Sequence, residues 1–126
     1  YNYKKHNLNN INFLKLNFLV IKMKHKYDLI VSNPPYVSNI EYSNLGNHIK
    51  CYEPRIALTD DEDGFKFYKF FAKNLNKILK PKGRIVIEIG LEHTKKTIEN
   101  LFTQNNFQCT WYKDLNGSNR VFEAHQ

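Results

Sequence analysis

Apolar residues recur along the chain with two periods, one helical and one strand-like. Phe65, Tyr68, Phe71, Ala72, Leu75, Ile78 and Leu79 lie three and four residues apart, with Lys66, Lys69, Lys73 and Lys77 between them. That spacing predicts an amphipathic helix with its apolar stripe on a core. Asp60 to Asp63 precede it, where negative charge favours a helix N-terminus, and Pro81 and Gly83 are expected to end it. A second helix of the same kind is predicted from Thr94 to Asn105, on Ile98, Leu101 and Phe102. Strand-type runs occupy Phe13 to Leu16, Tyr27 to Ser32 and Arg84 to Gly90. Two more, Phe107 to Tyr112 and Arg120 to Ala124, flank the turn signal Asn116-Gly117-Ser118-Asn119. Tyr1 to Asn10 reads as the tail of a helix running into a polar turn, and Val37 to Asp63 as a long connection without a period. Alternating strands and helices in 126 residues predict a single α/β sheet domain.

Composition narrows the class. With 41% hydrophobic and 25% charged residues, the chain can build a core and is not expected to be disordered. The longest apolar run, Phe18 to Ile21, is far below the roughly 18 residues that span a bilayer, so no membrane partner is expected. No basic-then-apolar leader is read at the start, so no secretory signal is expected. Cys51 and Cys109 share no CxxC spacing, which argues against a disulfide framework or zinc site and suits a reducing, cytoplasmic compartment. The five histidines lack metal-binding or triad spacing, and Asp60-Asp61-Glu62-Asp63 lacks the calcium-loop pattern, so no metal is expected. The net charge is +7, but sixteen of the nineteen basic residues are lysines scattered along the chain. A nucleic-acid reader draws more on the planar fork of Arg, so these lysines read as solvated surface.

The chemistry gathers at Asn33-Pro34-Pro35-Tyr36. Paired prolines stop the strand that ends at Ser32, and ligands in open α/β sheets bind just beyond the carboxyl ends of strands. The Asn33 side-chain oxygen and the Pro34 carbonyl can each accept an N–H. Tyr36 offers a flat face to an amide or a base. Two acceptors and a platform orient an NH₂ group without deprotonating it, which suits methyl transfer to a poorly nucleophilic nitrogen. Glu53 and Arg55, in Tyr52-Glu53-Pro54-Arg55, are expected to tie down the loop that follows, and Glu88 reads as a structural strand carboxylate.

Asp28 to Tyr36 (DLIVSNPPY) resembles the fourth motif of class I, S-adenosylmethionine-dependent amino-methyltransferases. Tyr52 to Leu58 (YEPRIAL), Glu62-Asp63-Gly64, Leu79 to Gly83 (LKPKG), Ile87 to Gly90 (IEIG) and Lys113 to Val121 (KDLNGSNRV) narrow the resemblance to the release-factor glutamine methyltransferases, the HemK/PrmC family. It covers nearly the whole chain. It implies N5-methylation of the glutamine in the Gly-Gly-Gln motif of peptide chain release factors, with S-adenosylmethionine as cofactor and a release factor as protein partner. It also implies that Asn33 and the Pro34 carbonyl bind the glutamine amide, with Pro35 and Tyr36 completing the catalytic loop. Asn17 falls where the family has an Asp that contacts the adenine amino group, and Phe18 where an aromatic packs on the adenine. With Asn33 these form the implied cofactor set. A monomer is expected.

The family's G-x-G-x-G loop and the acidic residue that holds the ribose are both missing from these 126 residues. In the class I strand order 3-2-1-4-5-7-6, the resemblance therefore implies a partial Rossmann-like sheet with strands 3, 4, 5, 6 and 7 present and strands 1 and 2 absent. The expectation is the C-terminal portion of a single methyltransferase domain over residues 1–126, with weak or no cofactor binding in isolation, no adjacent partner for the strand at Phe13 to Leu16, and a long, apolar exposed edge. Two alternatives stay open: an N6-adenine nucleic-acid methyltransferase acting on a flipped base, and an inactive remnant without the cofactor loop.

Overall fold

The computed structural model describes His6, residues 8–20 and residues 25–126. Most of the helical tail expected over Tyr1 to Asn10 lies outside the described residues. Four strands form one sheet: β1 (Tyr27–Ser32), β2 (Leu79–Glu88), β3 (Gln108–Lys113) and β4 (Asn119–His125), in the order β1-β2-β4-β3. β1 and β2 are parallel, and the remaining pairs are antiparallel. The crossover from β1 to β2 carries three short helices, α1 (Asn39–Asn44), α2 (Asn47–Tyr52) and α3 (Arg55–Leu58), and then the long α4 (Lys66–Ile78). A 3₁₀ turn (Glu92–Thr94) and α5 (Lys95–Thr103) connect β2 to β3.

Register explains the core. Ile30 pairs with Ile85, Ile85 with Ala124 and Ile87 with Phe122, so alternate residues of neighbouring strands share one face. Ile85, Ile87, Phe122 and Ala124 on that face are fully buried beneath α4 and α5. Phe122 receives Phe102 of α5 edge-on at 4.8 Å between ring centroids, and Tyr68 of α4 at 6.4 Å. The predicted stripe of α4 is the buried one: Tyr68, Phe71, Ala72, Leu75 and Ile78. On the opposite sheet face, Arg84 and Glu123 pair at 3.4 Å, and Leu29 and Val31 of β1 remain exposed.

Four sequence expectations shift. Phe13 to Leu16 is irregular and not a strand, and Phe13, Leu14 and Leu16 are all exposed. A strand needs a ladder partner, and the sheet offers this segment none among the described residues. The fold class stands, with strands 4, 5, 7 and 6 formed and the expected strand 3 not. Secondly, Pro81 and Gly83 do not terminate α4, which stops at Ile78 and passes directly into β2. Tyr27 pairs with Leu79 but Leu29 pairs with Arg84, so residues 80–83 bulge out, and a proline without an N–H is tolerated there. Thirdly, α5 is shorter at both ends than the predicted Thr94 to Asn105. Finally, the connection from Val37 to Asp63, in which no period is visible, holds α1, α2 and α3. Each is too short to display a period.

Candidate active site

β1 delivers Asn33-Pro34-Pro35-Tyr36 to the carboxyl end of the sheet, beside the exit of β2. Pro34 is buried, Pro35 and Tyr36 are half-buried, and Asn33 is exposed. Among the described residues, neither the Asn33 side chain nor the Pro34 carbonyl is engaged in a hydrogen bond. Both acceptors therefore keep hydrogen-bonding capacity, and both residues line a cleft.

The chain after the motif is held tightly. Val37 donates its N–H to the Leu58 carbonyl at 3.0 Å and bridges Thr59, and Asn39 N–H reaches the Glu62 carbonyl at 3.0 Å. Ser38 caps α1: its Oγ accepts from Glu41 N–H, while the Glu41 carboxylate accepts from Ser38 N–H at 2.8 Å. Arg55 pairs with Asp61, donates to Asn39 Oδ1 at 3.0 Å and lies 4.2 Å from the Tyr42 ring centroid. Arg55 thus ties down the loop as expected. Among the described residues Glu53 takes no part in this: it is exposed, and its backbone N–H bonds to the Ile49 carbonyl.

In the acidic run before α4, Asp61, Glu62 and Asp63 pair with Arg55, Lys66 and Lys69, and Asp60 serves backbone donors. Buried Asp60 accepts from Glu62 N–H at 2.8 Å, Gly64 N–H at 3.1 Å and Lys66 N–H at 3.0 Å. Gly64 sits at φ +83°, and a Cβ there would lie 2.5 Å from the Tyr36 carbonyl oxygen. Glu62-Asp63-Gly64 is therefore a backbone cradle for the motif. Among the described residues, no group of three or more His, Cys, Asp or Glu is placed to hold a metal ion.

The motif divides two clefts. Asn33, Pro34 and Pro35 line the smaller, of about 270 Å³, with Phe18, Ser32, Phe67 and Phe71. Tyr36 lines the larger, of about 680 Å³, with Val37, Phe65, Tyr68, Gly90, Leu91 and Arg120. Phe18 joins the smaller cleft by packing on Phe70 and Phe71, at 5.0 and 5.1 Å between centroids. Asn17 is not brought to it: its Oδ1 accepts from Leu19 N–H at 3.1 Å within a local turn, and it lines neither cleft. The smaller cleft has an aromatic wall, one amide and no charged side chain. These residues fit one flank of a methyl donor that carries an aromatic base, but hold nothing for ribose hydroxyls or an amino-acid end.

Sequence reasoning did not assign the floor of the larger cleft. The Tyr36 ring lies against Gly90, where a Cβ would stand 2.4 Å from Cδ2. Tyr68 donates its hydroxyl to the Glu88 carbonyl at 3.0 Å. The signal available was a glycine closing a run of branched residues, a mark of close backbone approach. Burial, and then the neighbouring Glu88 charge, raise the Tyr36 phenol above its usual pKa, and burial does the same more strongly for Tyr68.

These phenols ionise less readily when folded than unfolded. Their contribution is complete below the unfolded pKa near 10 and is lost as pH rises through the higher folded values. Stability is expected to fall above pH 10, Tyr68 alone contributing up to about 1.4 kcal/mol per pH unit. Urea unfolding at pH 9, 10 and 11 should show a shallower fall for Tyr68→Phe than for the wild type. Parallel profiles would refute the assignment.

A parallel strand pair with a crossover through α4, a reversed last strand and an Asn-Pro-Pro-Tyr loop at the strand ends make this part of a class I methyltransferase domain. A family model described as Eco57I restriction-modification methylase matches residues 1–122. The chain belongs to that family, and the family is one of enzymes. Among curated proteins it is 42% identical over 119 residues to a release factor glutamine methyltransferase of Fusobacterium nucleatum, covering 93% of this chain and 33% of that protein. It is 40% identical over 121 residues to a bifunctional methyltransferase of Rickettsia typhi, covering 94% and 23%. A release factor glutamine methyltransferase of Bacillus subtilis is 39% identical over 107 residues, covering 82% and 36%. The chain thus spans about a quarter to just over a third of the length of these relatives. No helix among the described residues is long and apolar enough to cross a membrane.

Proposed function

We propose that these residues are the methyl-acceptor portion of a protein-glutamine methyltransferase that modifies the glutamine of the Gly-Gly-Gln motif in a peptide chain release factor. The observation that carries the reading is the pair of unengaged acceptors, Asn33 Oδ1 and the Pro34 carbonyl, on the wall of the smaller cleft. The activity named for the Fusobacterium and Bacillus relatives supports it. Asn33 and Pro34 accept the two amide hydrogens, Tyr36 backs the amide plane, and Pro35 keeps the loop free of competing N–H donors. Drawing hydrogen-bond acceptors to both N–H groups favours the tetrahedral nitrogen of the transition state over the planar amide. The proton leaves after the methyl arrives, so no strong base is required. Phe18 and Asn33 would hold S-adenosylmethionine, which would supply an electrophilic sulfonium methyl and leave as the neutral thioether. The enzyme works as a cytoplasmic monomer.

The test is transfer of labelled methyl by the intact gene product to a release factor and to duplex DNA. The expected result is a single methyl on the release-factor glutamine and none on DNA. The family description favours a second reading, N6-adenine methylation with the same loop holding an exocyclic amine. Label on adenine alone would establish that reading and overturn the first.

Residues 1–126 are read as the C-terminal portion of one methyltransferase domain, because they contain no G-x-G-x-G loop and, among the described residues, β1 has no partner on its outer edge. Titration calorimetry on this chain alone should show no micromolar affinity for S-adenosylmethionine. Micromolar binding would contradict the assignment, and an intact gene product equally unable to bind would favour the remnant reading.

A further inference from the structure

Beyond the motif, the exit of β2 has an unusual pattern of backbone satisfaction. Glu88, Ile89 and Gly90 present three successive carbonyls where the sheet ladder runs out. Tyr68 takes the first with its hydroxyl at 3.0 Å. Arg120 takes the other two, donating from Nη1 to Ile89 at 3.3 Å and to Gly90. Arg120 is itself held from the other side, its Nε facing the Asp114 carboxylate at 3.4 Å. Its own carbonyl accepts from Ile89 N–H at 2.8 Å, so backbone and side chain grip the same stretch.

Gly90 is the residue on which the Tyr36 ring rests. There is no space for even a methyl group between them, so any movement of the Gly90 backbone transmits directly to the ring. A guanidinium can hold both carbonyls from Nη1 while its Nε faces Asp114, whereas an ammonium is a single point donor on a flexible stem.

We propose that Arg120 is a positioning residue for methyl transfer: by fixing the Gly90 carbonyl it sets the plane of the Tyr36 ring, and through it the amide of the acceptor. The proposal rests on the glutamine-methylation reading for its substrate, but the link from Arg120 to Tyr36 belongs to this chain alone. Arg120 does not touch the reacting atoms in this scheme. Its effect is one of orientation, and a small misplacement of a reacting group is enough to cost a large factor in rate.

The experiment is NMR of the Gly90 α-protons in the intact protein, with Tyr36→Leu as the reference for loss of the ring's shielding. Arg120→Lys is the informative variant, because it keeps the charge facing Asp114 and loses only the fork. Arg120→Met is the stronger change, and Arg120→Lys carries the test if that variant does not fold. The expected result is that Arg120→Lys moves the Gly90 signals more than halfway to the Tyr36→Leu values. In the same variant, kcat for the release factor should fall about 10–100-fold, with the KM for S-adenosylmethionine unchanged. Gly90 signals that stay in place in Arg120→Lys overturn the proposal whatever the turnover does. Signals that move while kcat holds overturn it as well. If the wild type methylates no release factor, the glutamine reading fails, and the Gly90 signals still decide whether Arg120 orients Tyr36.

Discussion

Replacing Asn33 by Ala in the intact protein is expected to cut methyl transfer by about 10²–10³-fold, the range seen when one preorganised partner of a transition-state group is removed. Asn33 lies just past the last paired residue of β1 and is exposed, and its side chain has no hydrogen-bond partner among the described residues. Its side chain therefore contributes little to folding, and the change should alter stability by no more than about 0.5 kcal/mol. An amide with nothing to do in the fold, set beside two prolines that cannot donate, is a group held ready for a ligand. The loss should fall on kcat, because the acceptor is needed most when the amide nitrogen leaves its plane. Asn33→Asp, which keeps an acceptor at the same reach, should recover part of the rate. Single-turnover transfer with release factor checks both variants. Full activity in Asn33→Ala would remove the glutamine and adenine readings together, since each gives Asn33 the same role.

Much of this was legible in the sequence because the helical and strand periods reflect burial. The stripe from Tyr68 to Ile78 could be read from spacing alone, and Tyr27 to Ser32 was bounded by the prolines that follow it. The strand expected at Phe13 to Leu16 failed for the opposite reason. Apolar residues there record a preference for burial, but a strand exists only with a neighbour, and none pairs with that segment among the described residues. Pro81 and Gly83 misled in a similar way. Each can break a helix, but here α4 had already ended and they shaped a bulge inside β2.

The candidate site was half legible. Asn33 and Pro34 announce themselves because their donors and acceptors can be counted from residue type. Resemblance set Phe18 and Asn17 together beside the adenine; Phe18 lines the smaller cleft, whereas Asn17, one residue away, turns its amide back on its own loop. The floor beneath Tyr36 was hidden, since Gly90 and Arg120 come from segments far apart in sequence and act through backbone carbonyls. No local pattern encodes a side chain that holds another residue's carbonyl.

The cradle at Gly64 offers a paired measurement in which one substitution calibrates the other. Gly64 and Gly117 have nearly the same left-handed backbone, at φ +83° and +85°. An added Cβ at Gly117 meets nothing within 4 Å, because that residue tops the open hairpin between β3 and β4. Gly117→Ala should therefore cost only the conformational penalty, about 1–2 kcal/mol. At Gly64 the same penalty applies, and the Cβ would also lie 2.5 Å from the Tyr36 carbonyl oxygen and 3.5 Å from Ser38 nitrogen. Backbone cannot rotate aside as a side-chain tip can. Either the loop carrying Tyr36 shifts or the turn that Asp60 organises opens, and Gly64→Ala should cost at least about 2 kcal/mol more than its counterpart. Urea denaturation of the two single variants measures the difference directly. Transfer activity at equal folded fraction should drop for Gly64→Ala and hold for Gly117→Ala, because only the former displaces the motif. Equal losses of stability would mean that the loop behind Tyr36 yields freely, and the view of Glu62-Asp63-Gly64 as its rigid support would fail.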